Sequence, residues 1–180
     1  MVTSASVAMA SEECVRWVPG LALLAGIALV GLRLYLGRDE ETRLRPGEAA
    51  DFAHLDLGRR ENVYLLCPSE PAICSQPADA TSPVFAMSVD RLYVLVRDML
   101  ASEDRLSRVS EDAERHRLVL IQRSPVMRFP DIITIELIPL DGERSTLAIL
   151  SRSRYGRSDF GVNAARVKRL IEKLQAAAGS

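Results

Sequence analysis

The stretch from Ser145 to Leu174 constrains the fold most, because its pattern changes from that of a strand to that of a helix. Thr146–Ser153 is predicted to be a strand, and Asn163–Ala177 an amphipathic helix. The turn between them is rich in arginine and serine. The apolar stripe of the helix consists of Val167, Leu170, Ile171 and Leu174. A strand and a helix that each have one apolar side need a shared core, so the stretch predicts a layered α+β domain.

A further helix and further strands are predicted upstream of this stretch. The helix begins after Ser88, a favourable N-cap residue, and ends near Ser102. Its core-facing stripe consists of Leu92, Leu95, Val96, Met99 and Leu100. The strand candidates are Asn62–Cys67, Val84–Met87, Arg105–Val109, Arg117–Gln122 and Ile132–Leu140. Asp141-Gly142 predicts a hairpin, and the expected body is an antiparallel sheet covered by two helices.

The apolar run from Trp17 to Leu36 predicts one transmembrane helix before this domain. Arg33 interrupts the run near its end, and about 20 residues are enough for a helix to cross a bilayer. A buried soluble helix and a cleaved signal peptide are the alternatives. The sequence RLYLGRDEET, which follows the apolar run proper, offers no small-residue cleavage site. The expected organisation is a tail at 1–16, a transmembrane helix at 17–36, a linker at 37–61 and the α+β domain at 62–180.

Two signals disagree about the side of the membrane on which the domain lies. Arginines are more numerous after the apolar run than before it, which by the positive-inside rule favours the cytoplasm. Cys67 and Cys74 flank the short loop CPSEPAIC at a spacing that a disulfide could close, and a disulfide favours an oxidising compartment. Two free thiols are the alternative. A metal pair is disfavoured because His54 and His116 are distant in sequence, and we predict no metal site.

Charge and motifs argue against several classes of function. The chain has 23 basic and 24 acidic side chains and a net charge of −1, whereas nucleic-acid-binding proteins need a basic face. Aromatic residues make up 5% of the chain, which is too few for a base-stacking surface. The sequence contains no glycine-rich phosphate loop of the P-loop or dinucleotide type. We therefore expect neither a nucleic-acid partner nor a cofactor.

The polar turn after the last strand holds the candidate site. Alternation along the strand places Arg152 and Arg154 on one face, about 7 Å apart, and Ser151 and Ser153 on the other face. The start of the following helix adds Asn163, the expected N-cap, and an aspartate near the positive end of the helix. The turn therefore brings arginines and a helix N-terminus into one neighbourhood.

Two interpretations of this neighbourhood compete. In the structural one, Asp131 and Asp159 pair with arginines and fix the turn. In the functional one, the arginines and the helix N-terminus bind an anion such as a phosphate, a carboxylate or a lipid headgroup. Arg123 joins the site if the preceding strands pair as adjacent hairpins. The predicted ligand-binding residues are Arg123, Arg152, Arg154, Asp159, Asn163 and Arg166.

Catalysis is the third interpretation, and it has the least support. Asp131 and Asp159 could act as an acid–base pair. Neighbouring arginines would lower the pKa of both carboxylates and keep them ionised, which suits a salt bridge better than a general acid. A serine nucleophile needs a positioned base, and neither histidine lies in this stretch. We therefore predict no catalytic residue.

The segments SRSRYGRSDFGVNAARV and QRSPVMRFPD resemble the bacterial domain-of-unknown-function 1499 family. The resemblance extends over roughly Asn62 to Leu174. Ala164 departs from the family pattern, in which an arginine often occupies this position. The resemblance implies a single domain that is often membrane-anchored or exported, and so a domain that faces outward. The matching positions are Arg123, Ser124, Phe129, Asp131, Arg152, Ser153, Arg154, Gly156, Ser158, Asp159, Gly161, Asn163 and Arg166.

The sequence therefore predicts a single-pass protein of the inner membrane with a periplasmic α+β domain. Its expected role is binding or interaction in the cell envelope, with an anionic ligand or an envelope protein as the partner. The alternatives are an envelope hydrolase that uses Asp131 and Asp159, and an accessory structural subunit of a membrane complex.

Overall fold

The computed structural model of the protein describes residues 22–32, 43–58, 60–70, 72–125, 128–156 and 158–179. The chain divides into two compact units, Met1–Arg38 and Asp39–Ser180. In the first unit, residues 22–32 form helix α1, and its large apolar side chains are exposed. No helix in the described part of the chain is long and apolar enough to cross a membrane. The remaining residues of the predicted span at 17–36 lie outside the described residues.

The second unit is an α+β domain, as predicted. Its strands are β1 (Val63–Cys67), β2 (Ala80–Thr81), β3 (Leu106–Asp112), β4 (Arg117–Arg123), β5 (Pro130–Pro139) and β6 (Ser145–Ser153). Its α-helices are α2 (Val89–Ala101) and α3 (Val162–Ala178), and single 3₁₀ turns occur at Phe52–His54 and Arg60–Asn62. The strand expected at Val84–Met87 is reduced to one bridge between Phe85 and Ser145.

The six strands form one sheet in the order β2-β1-β6-β5-β4-β3. Four of the neighbouring pairs are antiparallel. β1 and β2 pair in parallel, so the sheet is mixed and the prediction of a purely antiparallel sheet is wrong at this pair. The loop after Cys67 carries the chain back along the sheet, so that it enters β2 in the direction of β1. A two-residue strand has no alternation pattern by which its sequence could be recognised.

Helices α2 and α3 cover one face of the sheet. The hydroxyl oxygen of Ser88 accepts a hydrogen bond from the amide of Arg91 at 3.4 Å and caps α2, as predicted. The aliphatic side chains that hold the two layers together are each worth about 1.5–3 kcal/mol when fully buried. They include Leu92 and Val96 of α2, Val167 and Leu170 of α3, and Ile133 and Ile149 of the sheet.

Residues 43–58 cover part of the opposite face of the sheet. Phe52 is 3% exposed and packs in a second core cluster with Leu65 and Leu150. The amide of Ala50 donates a hydrogen bond to Thr134 Oγ1 at 3.0 Å. The described part of the segment expected to be a linker is therefore packed against the sheet. Its apolar residues follow neither a helix nor a strand period, so the sequence pattern does not reveal this contact.

A disulfide joins Cys67, the last residue of β1, to Cys74 in the following loop. The two Cα atoms are 6.5 Å apart. Cys67 is 4% exposed, and both residues pack in the second core cluster with Phe52. The disulfide therefore fixes the loop that leads into β2 against the same face as residues 43–58.

Candidate anion-binding site

Strand β6 distributes the predicted site residues over two faces of the sheet. Ser151 points to the face that α3 covers, and Arg152 and Arg154 point to the face that residues 43–58 cover. The group on the helix side, which we call the buried cluster, consists of Gln122, Asp131, Ser151, Asn163 and Arg166. The group on the other side, which we call the arginine cleft, has Arg45, Glu48, Asn62, Arg152 and Arg154 in its lining.

Arg166 of α3 is the centre of the buried cluster. Its guanidinium donates to a carboxylate oxygen of Asp131 on β5 and, at 2.8 Å, to Ser151 Oγ on β6. Gln122 Oε1 and Asn163 Oδ1 accept further hydrogen bonds from it. Arg166 is 4% exposed and Asp131 is 5% exposed. The charge of Arg166 is therefore balanced inside the protein, and the cluster ties α3 to three strands.

Asn163 does not cap α3, so this prediction is wrong. The helix begins at Val162 with Gly161 as its N-cap, and Gly161 has a φ of +79°, which favours glycine. Asp159 supplies the capping group, since its carboxylate accepts from the amides of Gly161 at 3.0 Å and Asn163 at 2.8 Å. The Asn163 side chain is buried and donates to the carbonyl oxygen of Asn62 at 3.0 Å. An aspartate turn before the helix thus replaces the predicted cap.

The arginine cleft lies at the end of the sheet where β6 ends and β1 and β5 begin, and its volume is about 270 Å³. Arg154 is paired in this cleft, because its Nε and Nη2 donate to the two carboxylate oxygens of Glu48 at 2.7 and 2.5 Å. The Arg154 side chain is 2% exposed. Burial raises the pKa of Glu48, but the hydrogen bonds from Arg154 and from the amide of Arg45 more than offset this, so its pKa is lowered.

Arg152 has a different environment from Arg154. Its Nη2 donates to the backbone carbonyl oxygens of Gly47 at 2.9 Å and Glu48 at 2.6 Å. Within the described part of the chain, no carboxylate forms an ion pair with it. Burial lowers the pKa of the Arg152 guanidinium, and the positive charge of Arg154 lowers it further. The carboxylates of Glu48 and Asp56 offset this only in part. Arg152 is therefore a partly desolvated cation whose charge no directly bonded carboxylate balances.

The two remaining arginines near the cleft have separate contacts. Arg45 Nη2 donates to the Tyr155 hydroxyl at 2.8 Å, and the Arg45 guanidinium lies 5.6 Å from the centre of the Tyr155 ring. Arg123 is 8% exposed and donates to the carbonyl oxygen of Arg128 at 3.1 Å, in the turn before β5. The six predicted ligand residues therefore do not form one group. Arg152 and Arg154 lie in the cleft, and Asn163 and Arg166 lie in the buried cluster. Asp159 lies in the turn before α3, and Arg123 is the last residue of β4.

Sequence reasoning missed three polar residues of the cleft, Arg45, Glu48 and Asn62. The amide of Glu48 donates to the Arg45 carbonyl oxygen at 3.1 Å, and Gly47 has a φ of +77°, which closes a β-turn with Pro46 at its second position. The sequence Arg-Pro-Gly-Glu is a recognisable turn signal. Nothing in that signal shows that the turn lies against β6, more than 100 residues later.

A family model described as a protein of unknown function (DUF1499) matches residues 65–174. No curated protein matches the chain. Among solved structures, the di-domain ARO/CYC BexL from the BE-7585A biosynthetic pathway is 13% identical, with a TM-score of 0.37, over 54% of this chain and 42% of that chain. The chain thus spans less than half of that structure's length.

Two further solved structures are similar at the same low level. An NMR structure from Thermobifida fusca is 15% identical, with a TM-score of 0.38, over 54% of this chain and 87% of that chain. The Zhui aromatase/cyclase from Streptomyces sp. R1128 is 14% identical, with a TM-score of 0.33, over 53% of this chain and 84% of that chain. Similarity at this level carries no information about function.

The buried ion pair leads to a first prediction. Asp131→Asn should lower the free energy of unfolding by about 3–5 kcal/mol, because it leaves Arg166 as an uncompensated buried charge. Urea denaturation of the full chain measures this loss. Lys173→Gln breaks the more exposed pair with Glu103 and should cost less than about 1 kcal/mol. Equal losses in the two variants would contradict the role assigned to Arg166 and Asp131.

The lowered pKa of Glu48 leads to a prediction about pH. A carboxylate with a lower pKa in the folded state stabilises the fold above its unfolded pKa of about 4.3, and this contribution disappears as the pH falls through the folded value. Glu48→Gln should therefore be less stable than wild type at pH 7, and the difference should shrink below about pH 4. Urea denaturation at both pH values tests this, with exposed Glu61→Gln as the control. If the free energies of unfolding of wild type and Glu48→Gln differ by the same amount at both pH values, the prediction is wrong.

Proposed function

The chain belongs to the family of proteins of unknown function DUF1499, and we propose that its arginine cleft binds a small anion, such as a phosphate or a carboxylate. Arg152 is the observation that carries this proposal. It is a partly buried cation inside a cleft, and the described residues give it carbonyl oxygens but no carboxylate. Burying a cation is unfavourable unless an opposite charge or full hydrogen bonding compensates it.

A comparison of three guanidinium groups supports this proposal. Arg166 is paired with Asp131, and Arg154 is paired with Glu48, so both are neutralised within the protein. Arg152 is the member of this set that a bound anion would neutralise. A planar guanidinium suits phosphate and carboxylate oxygens because it presents several N–H groups in a fixed arrangement.

The size of the cleft limits the anion that it can hold. The volume of about 270 Å³ is slightly below the range of pockets for drug-sized ligands. The cleft therefore suits a small anion better than a nucleotide.

The proposal extends to the location of the protein. Residues 17–36 form a single membrane span, and the α+β domain lies in the periplasm. The length of the apolar run supports the span. So does the exposure of Leu23, Leu24 and Ile27 on α1, since a lipid environment suits such a surface and water does not. The disulfide between Cys67 and Cys74 supports the periplasmic side, because disulfides persist in oxidising compartments.

The anion proposal is tested by Arg152→Gln. Isothermal titration of the full chain in detergent with inorganic phosphate should show binding that is about 10- to 100-fold weaker in the variant, which is the value of a hydrogen bond to a charged group. Arg169→Gln removes an exposed arginine of α3 and should leave the affinity unchanged. Unchanged phosphate affinity in a folded Arg152→Gln variant would overturn the proposal.

The location is tested with a C-terminal reporter enzyme that is active only outside the cytoplasm. A periplasmic domain should give an active reporter. In a Cys14→Ser background, Cys67 and Cys74 should become reactive towards a thiol reagent only after reduction. An inactive reporter together with thiols that react without reduction would place the domain in the cytoplasm.

A further inference from the structure

We infer that the disulfide between Cys67 and Cys74 is a redox switch for the arginine cleft, and that its reduction weakens anion binding. This inference rests on the proposed function and specifies how it is regulated. It arises from contacts that join the disulfide loop to residues 43–58, the segment that contributes Arg45, Glu48 and Leu57 to the cleft.

Ser75, which follows Cys74 directly, connects the disulfide loop to this segment. Its amide donates to the carbonyl oxygen of Phe52 at 2.9 Å, and its Oγ accepts from the amide of Leu55 at 2.8 Å. The side chains of Cys67 and Cys74 pack in the same core cluster as Phe52 and Leu55. The disulfide therefore holds Ser75 in the position from which it bonds the segment.

The two residues that Ser75 bonds lie between the parts of the segment that reach the cleft. Glu48 precedes them in sequence and Leu57 follows them, and both line the cleft. The carbonyl oxygen of Glu48 also accepts a hydrogen bond from Arg152. A segment that is fixed between its cleft-lining parts is pre-organised, so less conformational freedom is lost when an anion binds.

Reduction of the disulfide proceeds by exchange with a dithiol, the class of reductant that we assign to this switch. Cys67 is 4% exposed and Cys74 is half-buried, so a thiolate of the dithiol attacks Sγ of Cys74 and Cys67 leaves as a thiolate. The second thiolate of the dithiol attacks the mixed disulfide and releases Cys74. Two electrons and two protons pass from the dithiol to the two cysteines, and the dithiol becomes a disulfide. The loop is then no longer tied to β1, and Ser75 loses its fixed position.

The experiment compares the oxidised and the reduced protein. Isothermal titration of the full chain in detergent with inorganic phosphate measures the affinity in a Cys14→Ser background. Dithiothreitol is the reductant, because it is uncharged and does not compete for the cleft. The reduced protein should bind phosphate about tenfold more weakly, which lies within the usual range of coupling between two sites. Equal affinities in the two states, or tighter binding by the reduced protein, would overturn the inference and leave anion binding intact.

Ser75→Ala tests the connection without redox chemistry. It removes the hydroxyl group that accepts from Leu55 and keeps the disulfide, so the oxidised variant should bind phosphate about threefold more weakly than wild type. Ser69→Ala changes an exposed serine of the same loop and should leave the affinity unchanged. Equal affinities of these two variants would contradict the role assigned to Ser75. If Ser75→Ala fails to fold, the comparison of the two redox states of one protein still decides the matter.

Hydrogen exchange separates the inference from the proposed function, because it needs no ligand. The amides of Leu55 and Ser75 are the donors of the nearby hydrogen bonds, so both should exchange about tenfold faster after reduction. Unchanged exchange of both amides would overturn the switch, even in a protein that binds phosphate. Failure of the oxidised protein to bind phosphate would overturn the proposed function and the switch together. Loss of the helical circular dichroism on reduction would overturn the switch alone, because the domain would then unfold as a whole.

Discussion

The alternation of side chains along β6 determines where the arginines of this domain can act. A strand directs successive residues to opposite faces, so Ser151 and Arg152, although adjacent, belong to different environments. Ser151 contributes to a buried network with Arg166, which attaches α3 to the sheet. Arg152 turns to the other face, where residues 43–58 pack and leave a cleft. The sheet itself therefore separates an arginine that organises the fold from the one that we propose binds an anion.

Electrostatics explains why these two faces have different roles. On the helix side, Arg166 meets Asp131 and three neutral acceptors, so burial of the charge is compensated within the protein. On the other side, the carboxylate of Glu48 accepts hydrogen bonds from Nε and Nη2 of Arg154. Among the residues that the structure describes, the direct partners of Arg152 are carbonyl oxygens. Two of the carboxylates that could have served an acid–base reaction, Asp131 and Asp159, support an ion pair and the start of α3. Both carboxylates therefore have structural roles.

Much of the fold could be predicted from the sequence because its signals are local. The α2 stripe, the Asp141-Gly142 hairpin and the alternation in β6 each depend on neighbouring residues, and the structure confirms them. The parallel strand β2 could not be predicted, since two residues carry no period. The same limit applies to the cleft. Glu48 lies in a polar segment without periodicity, and its contact with Arg154 depends on packing over a distance of 106 residues in sequence.

The candidate site was predictable in composition but not in arrangement. The polar residues of the turn before α3 were recognisable, and the resemblance to a family of unknown function depends on them. The pairing of each arginine with its carboxylate depends on two features of the folded chain. One is the pairing of β5 with β6, and the other is the packing of residues 43–58 on the face of the sheet opposite the helices. Asn62 shows the same limit, because nothing near it in the sequence indicates that its amide donates to the carbonyl oxygen of Gly156, 94 residues later.

The most direct test of this account is an NMR titration of the full chain, labelled with ¹⁵N-arginine, with inorganic phosphate. The side-chain Nε–Hε signals of Arg152 and Arg166 can be assigned with the variants Arg152→Gln and Arg166→Lys. The account predicts a saturable shift of the Arg152 signal and no shift of the Arg166 signal, because the sheet separates the two groups. A shift at Arg166, or no shift at Arg152 in the folded protein, would contradict it.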